Sequence, residues 1–205
     1  MTEIWYLCLC DMPDEATLRK ALPSSLLLGS EKYKDEKARW RSVAVRALLW
    51  YALQKKGEVG VSLAFSSLGR PRLDGSNLDV SLSHSEHYVA VALGDAPLGV
   101  DIEETGAVKH PSALAKRYLP PHEAEAVLEA ECQALAFLLS FTRLEAQTKQ
   151  KDGRTISDAM KLPAPPPDKL FQRTWHSQAH ETVVLTAVGE GPFLEHEVSD
   201  LELFS

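Results

Sequence analysis

The stretch that most constrains the fold runs from Asp79 to Glu104, DVSLSHSEHYVAVALGDAPLGVDIEE. It holds three runs rich in aliphatic residues, DVSLSHS, HYVAVALG and LGVDIEE, set almost end to end. Gly94-Asp95 and Pro97 separate the last two. Glycine, aspartate and proline favour turn geometry, so the stretch reads as three successive strands with tight connections. A sheet of that kind must bury a face, and the rest of the chain has to supply what covers it.

The flanking sequence supplies candidates. EIWYLCLC is rich in strand formers and reads as a first strand. EKYKDEKARWRSVAVRALLWYALQKKG reads as a long helix, with Val43, Ala47, Leu48, Trp50 and Tyr51 at helical spacing and Gly57 as its stop. VSLAF is a short strand followed by turns at Gly-Arg-Pro and Asp-Gly. After Glu104, SALAKRYL and PPHEAEAVLEA read as two short helices, the second opened by Pro121. CQALAFLLSFTRLEAQTKQK is a longer helix ended by Asp152-Gly153, and SDAMKLPAPPPDK is an irregular connection. LFQRTWHSQAH, TVVLTAVG and HEVSDLELF close the chain as strands. This order predicts an α+β fold in two halves of about a hundred residues each, taken as 1–100 and 101–205. No repeat in the sequence is strong enough to establish duplication.

The net charge of −7 argues against general nucleic-acid binding, which needs a basic face. The apolar run near the start is too short for a signal or a membrane span, and no other segment is long enough, so no membrane partner is expected. Cys8, Cys10 and Cys132 form neither a CxxC pair nor a metal spacing, which points to a reducing, cytoplasmic setting.

Residues two apart on a strand share a face, so Asp101 and Glu103 point the same way while Val100 and Ile102 face the core. Two carboxylates on one face are either a solvated acidic edge or half of a site for a hard divalent cation such as Mg²⁺. Glu145 and Lys149 stand four apart on a helix, as surface decoration or as a third carboxylate and a phosphate-binding lysine. The apolar LAFLLSF before them argues that something covers this helix and leaves Glu145 at a cleft edge. His84, between Ser83 and Ser85, is either a satisfied structural histidine or a phosphate contact. Ser83 and Ser85 lack a GxSxG elbow, which argues against a nucleophilic serine. Lys32, Lys34, Lys37, Arg39, Arg41 and Arg46 crowd together in an acidic chain, as a solvated face or as a polyphosphate cradle.

The series Arg46, GRP, VSLSHS, LGVDIE, AKRYLPPHE and FTRLEAQTK resembles the phosphopantetheinyl transferase superfamily, in its larger pseudo-dimeric type. The family pattern has Gly-Lys-Pro, Asn-x-Ser-His-Ser, Gly-x-Asp-x-Glu and Trp-(Ser/Thr)-x-Lys-Glu with a lysine four beyond the Glu. The likeness covers roughly residues 39 to 149. It implies two similar α/β halves with the active site at their interface, in a monomer. It implies transfer of the 4′-phosphopantetheine arm of coenzyme A to a serine of an apo acyl or peptidyl carrier protein, with Mg²⁺ as cofactor and 3′,5′-ADP released. Residue by residue, Asp101, Glu103 and Glu145 match the metal carboxylates, Glu145 also the base, and Lys149 the pyrophosphate contact. Ser83 and His84 match the pair beside the phosphates, His84 on the 3′-phosphate. Arg39, Arg46 and Arg70 fall to the nucleotide, Arg70 in place of the Gly-Lys-Pro lysine. Leu144 replaces the family lysine, Ser81 the asparagine and Phe141 the tryptophan; the loss at 144 implies weaker coenzyme A binding. The alternatives are a Mg²⁺-dependent pyrophosphohydrolase on a nucleotide-like substrate, and a coenzyme A or carrier-binding module with weakened catalysis.

Overall fold

Alternation along the first strand decides how the layers stack. In β1 (Thr2–Cys8), Trp5 and Leu7 face one way and Ile4 and Tyr6 the other, and all four are buried. A strand buried on both faces lies inside a sheet covered on both sides. The structure, a computed structural model, describes residues 1–152, 155–177 and 181–203.

Helix α1 (Glu15–Ala21) is capped by Asp14, whose side chain accepts from the Thr17 N–H. Helix α2 (Glu36–Lys55) starts at Asp35, which accepts from the Ala38 N–H at 2.7 Å and satisfies an otherwise orphan donor. A hairpin of β2 (Ser62–Phe65) and β3 (Pro71–Asp74) follows, then β4 (Asp79–His84), β5 (Tyr88–Gly94) and β6 (Gly99–Glu104). Next come α3 (Pro111–Tyr118), α4 (Pro121–Glu129), α5 (Gln133–Gln150) and the short α6 (Ile156–Ala159). The chain continues through β7 (Leu170–His176), β8 (Thr182–Val188), β9 (Phe193–Glu197) and α7 (Asp200–Leu203).

The protein is a mixed α+β fold. One sheet has the order β4-β5-β1-β9, antiparallel except for the parallel β1–β9 pair; another has the antiparallel order β6-β8-β7. Helix α2 covers the first sheet through Leu48, Leu49 and Leu53 against Trp5, Leu7, Val89 and Val91. The opposite face, with Ile4, Tyr6, Ala90 and Ala92, packs on Val100, Ile102, Val183 and Leu185 of the other sheet. Helix α5 covers the far side of that second sheet, where Val184 joins Phe137, Leu138 and Leu144. The layers therefore run helix, sheet, sheet, helix.

Both sheets contain the same connection: a strand, a long covering helix, then an antiparallel pair whose second strand sits beside the first (β1, α2, β4, β5 and β6, α5, β7, β8). The division expected at residue 100 cuts through β6, and β9 returns from the C-terminal part to pair with β1.

Several local expectations change. Pro71–Asp74 is a strand rather than a turn, because Leu63 pairs Leu73 across the hairpin. Thr155 and Asp158 form a capping box that makes one helical turn in the stretch expected to be irregular. HEVSDLELF is not one strand: Ser199 and Glu202 bond each other's backbone and start α7. Cys8 and Cys10, expected as thiols without a framework, form a disulfide. Gly153 and residues 178–180 of LFQRTWHSQAH lie outside the described residues. Among the described residues, no helix is long and apolar enough to cross a membrane.

Candidate functional site

Two periodicities bring the acidic residues together. On β6, Gly99, Asp101 and Glu103 share the face that meets α5, on the same side as Val184 and Thr186 of β8. On α5, Glu145 and Lys149 lie one turn apart. Gly99 permits the close approach. A Cβ there would lie 1.9 Å from the Ala146 carbonyl oxygen and 2.9 Å from the Gln150 nitrogen. Helix α5 can therefore lie on β6 only because residue 99 has no side chain, and this sets Glu145 and Lys149 beside Asp101 and Glu103.

The third contributor is β4, whose serines at every second position face β6. Ser81 Oγ accepts from the Val100 N–H at 3.0 Å, and Ser83 Oγ accepts from the Ile102 N–H at 3.4 Å. Ser85 Oγ donates to the Glu104 carboxylate at 2.5 Å. Hydroxyl groups replace the backbone ladder that would otherwise pair these two edges. Val80 and Leu82, the alternating residues, go to the α2 core.

These elements line a cavity of about 480 Å³. Asp101, Glu103, Glu145 and Lys149 form one side of it. Arg46 and Ser42 of α2, His84 and Ser83 of β4, Arg70 and Phe65 of the hairpin region, and Lys32 and Tyr33 form the rest. Of the residues the resemblance assigned to metal, phosphate or nucleotide, all meet in this one place except Arg39, while Lys37, Arg41 and Ser85 line an adjoining concavity. The Arg39 guanidinium is held by both oxygens of Glu15, each at 3.0 Å, and it does not line the cavity. Glu15 sits on α1, an element the sequence reading did not include, so that partner was not foreseen.

Asp101 is 3% exposed. Its Oδ1 accepts from Lys149 Nζ at 2.6 Å and from Ser83 Oγ at 2.8 Å, while its buried Oδ2 has no hydrogen-bond partner. Burial first, then the charges of Asp101, Glu145 and Glu104, push Glu103 up to about 8; Lys149 opposes them. Burial and then Asp101 also raise Glu145. The cluster carries more negative charge than Lys149 alone can balance. The carboxylates do not stand in a closed coordination set: among the described residues, no group of three or more His, Cys, Asp or Glu is gathered closely enough to hold a metal ion.

On the basic side, Arg46 is 3% exposed yet carries no salt bridge among the described residues. Its guanidinium donates to the Ser42 carbonyl and hydroxyl and to the Leu28 carbonyl, and its Nε is buried without a partner. Burial lowers its pKa, but an arginine stays protonated in proteins. It is therefore a buried cation in the cavity wall with no carboxylate partner among the described residues.

Two other candidates are less available than the sequence suggested. Arg70 lines the cavity, but both oxygens of Asp79 already engage it, and it also donates to the Lys149 and Leu98 carbonyls. It ties the hairpin to the end of α5. Burial, followed by the nearby charges of Arg41 and Lys149, drives His84 down to about 4, so at neutral pH it is an uncharged imidazole rather than a cation. Leu144 is fully buried against the second sheet, so position 144 does not face the cavity and a lysine there would enter the core.

The sequence reading missed the aromatic wall. Tyr33 makes an edge contact with His84, and Lys32 Nζ lies 5.1 Å from the Tyr33 ring centroid and 5.8 Å from that of Phe65. Arg41, expected only as one of the crowded bases, has a buried Nε without a partner among the described residues and lies in an adjoining concavity shared with His84 and Glu103. The crowding of bases before Arg46 was the only signal for Lys32 and Arg41, and it did not separate them from Arg39. No protein-family model matches this chain, and no curated protein matches it.

Proposed function

We propose that the protein is a phosphopantetheinyl transferase that moves the 4′-phosphopantetheine arm of coenzyme A onto a serine hydroxyl of an apo carrier protein. The observation that carries this reading is a single cavity in which a buried, carboxylate-free arginine faces three carboxylates short of positive charge. Such a site suits a ligand that brings anionic phosphate and a hard cation together. The matching strand–helix–strand–strand units support the pseudo-dimeric arrangement of two halves, with the cavity where β4 meets β6.

The donor set fits Mg²⁺. It is all oxygen, its three carboxylates share the single ammonium of Lys149 among the described residues, and Asp101 Oδ2 is bare. Asp101, Glu103 and Glu145 would hold the ion. When bound it supplies charge stabilisation for the pyrophosphate and the departing 3′,5′-ADP. Arg46 holds a phosphate of the nucleotide end by charge-assisted hydrogen bonds, and Lys149 offers a point charge to the pyrophosphate. His84 contacts phosphate as a neutral N–H donor. Glu145, with its raised pKa, takes the proton of the incoming serine hydroxyl. Tyr33 and Phe65 give the nucleotide base an apolar wall. Most of the rate comes from positioning and electrostatics.

The test is intact-mass analysis of apo acyl and peptidyl carrier proteins after incubation with the protein, coenzyme A and Mg²⁺. The expected result is the mass of one phosphopantetheine arm on a carrier serine. Nucleotide release without that gain means hydrolysis, and tight coenzyme A binding with no product means a binding module; either overturns the reading.

A further inference from the structure

The two oxygens of Asp101 are in different states, because Ser83 and Lys149 both bond the same one. The carboxylate is buried on β6, and its neighbours come from β4 and α5. Oδ1 takes two donors, the Ser83 hydroxyl at 2.8 Å and the Lys149 ammonium at 2.6 Å. Oδ2 takes none, although it is out of reach of solvent. Ser83 is itself held in place, because its Oγ accepts from Lys149 Nζ at 2.9 Å and from the Ile102 N–H at 3.4 Å. With those two donors on its lone pairs, its single hydrogen is directed to Asp101 Oδ1. The hydroxyl is therefore fully used inside the protein and has no donor left for a phosphate.

We infer that Ser83 is a positioning residue for the cation site: it fixes Asp101 by one oxygen so that the other is presented, bare and unrotated, to a divalent cation. This rests on the reading of the site under Proposed function. It differs from a role for Ser83 as a direct phosphate contact. A carboxylate that ligates through one oxygen and is held by a hydrogen bond through the other gains affinity, because its torsion is settled before the ion arrives. Outer hydrogen bonds of this kind typically change metal affinity by roughly 10- to 100-fold.

Ser81 provides the internal control. It occupies the same face of β4 two residues earlier, and its hydroxyl likewise accepts from β6, at the Val100 N–H. Among the described residues it makes no bond to a carboxylate of the cavity, so loosening the seam there leaves Asp101 held.

The experiment is titration of the full chain with Mn²⁺ by electron paramagnetic resonance in the presence of coenzyme A, together with calorimetric coenzyme A affinity in EDTA. Ser83→Ala is expected to weaken Mn²⁺ binding about tenfold or more with coenzyme A affinity in EDTA unchanged. Ser83→Thr, which keeps the hydroxyl, is expected to restore it, and Ser81→Ala to match the unsubstituted protein. Equal Mn²⁺ affinity in Ser83→Ala overturns the inference while leaving the proposed function standing. So does a loss confined to coenzyme A affinity in EDTA, which would make Ser83 a phosphate contact, or an equal Mn²⁺ loss in Ser81→Ala, which would make the effect one of the seam. If the unsubstituted protein takes up no Mn²⁺ with coenzyme A present, the inference and the proposed function fall together.

Discussion

Arg46→Met separates binding from stability more cleanly than any other single change in this protein. The residue is 3% exposed, and among the described residues its guanidinium has no carboxylate partner and leaves its Nε unsatisfied. A buried ion without a counter-ion costs several kcal/mol even after relaxation, and apolar replacement of buried ionic groups is often neutral or stabilising by about 1–4 kcal/mol. Against this, the change leaves the Leu28 carbonyl without its 2.9 Å donor and removes two bonds to Ser42. An acceptor left unsatisfied costs about 1–3 kcal/mol when buried, and the cost falls at the low end here because Leu28 is 57% exposed and water can replace the donor. The two effects are of similar size, so unfolding free energy should be unchanged or raised by up to about 2 kcal/mol, within the range these terms allow. For a chain of this length a gain of 1 kcal/mol is a rise of about 2–4 °C in Tm. Binding moves the other way. Losing a charge-assisted hydrogen bond to phosphate removes about 1.5–3 kcal/mol, which is roughly 10- to 150-fold in Kd. The assay pairs thermal unfolding of the ligand-free protein with calorimetric titration of coenzyme A. A Tm that falls by more than about 8 °C with coenzyme A affinity unchanged would refute the reasoning, because it would make Arg46 a structural residue only.

Four further expectations follow from the same geometry. Asp101→Asn and Glu145→Gln should each reduce carrier modification by about a thousandfold or more, with Tm held or raised for Glu145→Gln, where a repelling charge is gone, and lowered for Asp101→Asn, which breaks the ion pair with Lys149, checked by intact mass and calorimetry. The folded-state pKa of Glu103, about 8, lies above its ordinary value, so the folded state binds the extra proton and stability from this group is lost as pH rises towards 8. His84, held down at about 4, works oppositely below its ordinary value of 6.5, which leaves pH 6.5 to 8 as the window for Glu103; denaturant titration of metal-free protein there should show falling stability, and Glu103→Gln should flatten it. Gly99→Ala places a carbon 1.9 Å from the Ala146 oxygen, so α5 must shift; a loss of about 1–3 kcal/mol and weaker Mn²⁺ binding are expected in denaturant and resonance titrations. Leu144→Lys, which restores the residue of the resembled family, should cost at least about 3 kcal/mol of stability and bring no gain in coenzyme A affinity, because that position packs in the core.

Periodicity made the frame legible. The three-strand run, helix α2 and helix α5 follow from spacing alone, and the parity of β6 foretold that Asp101 and Glu103 share a face. The order of the short motifs pointed to the residues that line the cavity. What the sequence did not disclose depends on partners distant along the chain. Arg39 meets Glu15 and Arg70 meets Asp79, and a basic residue's availability cannot be read without knowing which acid lies beside it. The alternating serines of β4 were visible as a pattern, but their use in joining two sheet edges depends on β6 lying alongside. Leu144 looked like a lost cation because the resembled family has lysine there, and a motif match does not show that the position faces the core. The return of β9 to β1 had no local signal, since either sheet offered an edge.

The most direct test of the central claim is a crystal structure of the protein grown with coenzyme A and Mn²⁺, with the ion located by anomalous scattering. The account predicts one strong peak at about 2.0–2.3 Å from Asp101 Oδ2, shared with carboxylate oxygens of Glu103 and Glu145 and a pyrophosphate oxygen, with a phosphate of the ligand on Arg46. Coenzyme A bound with its phosphates away from Arg46, or an ion held without Asp101, would contradict it.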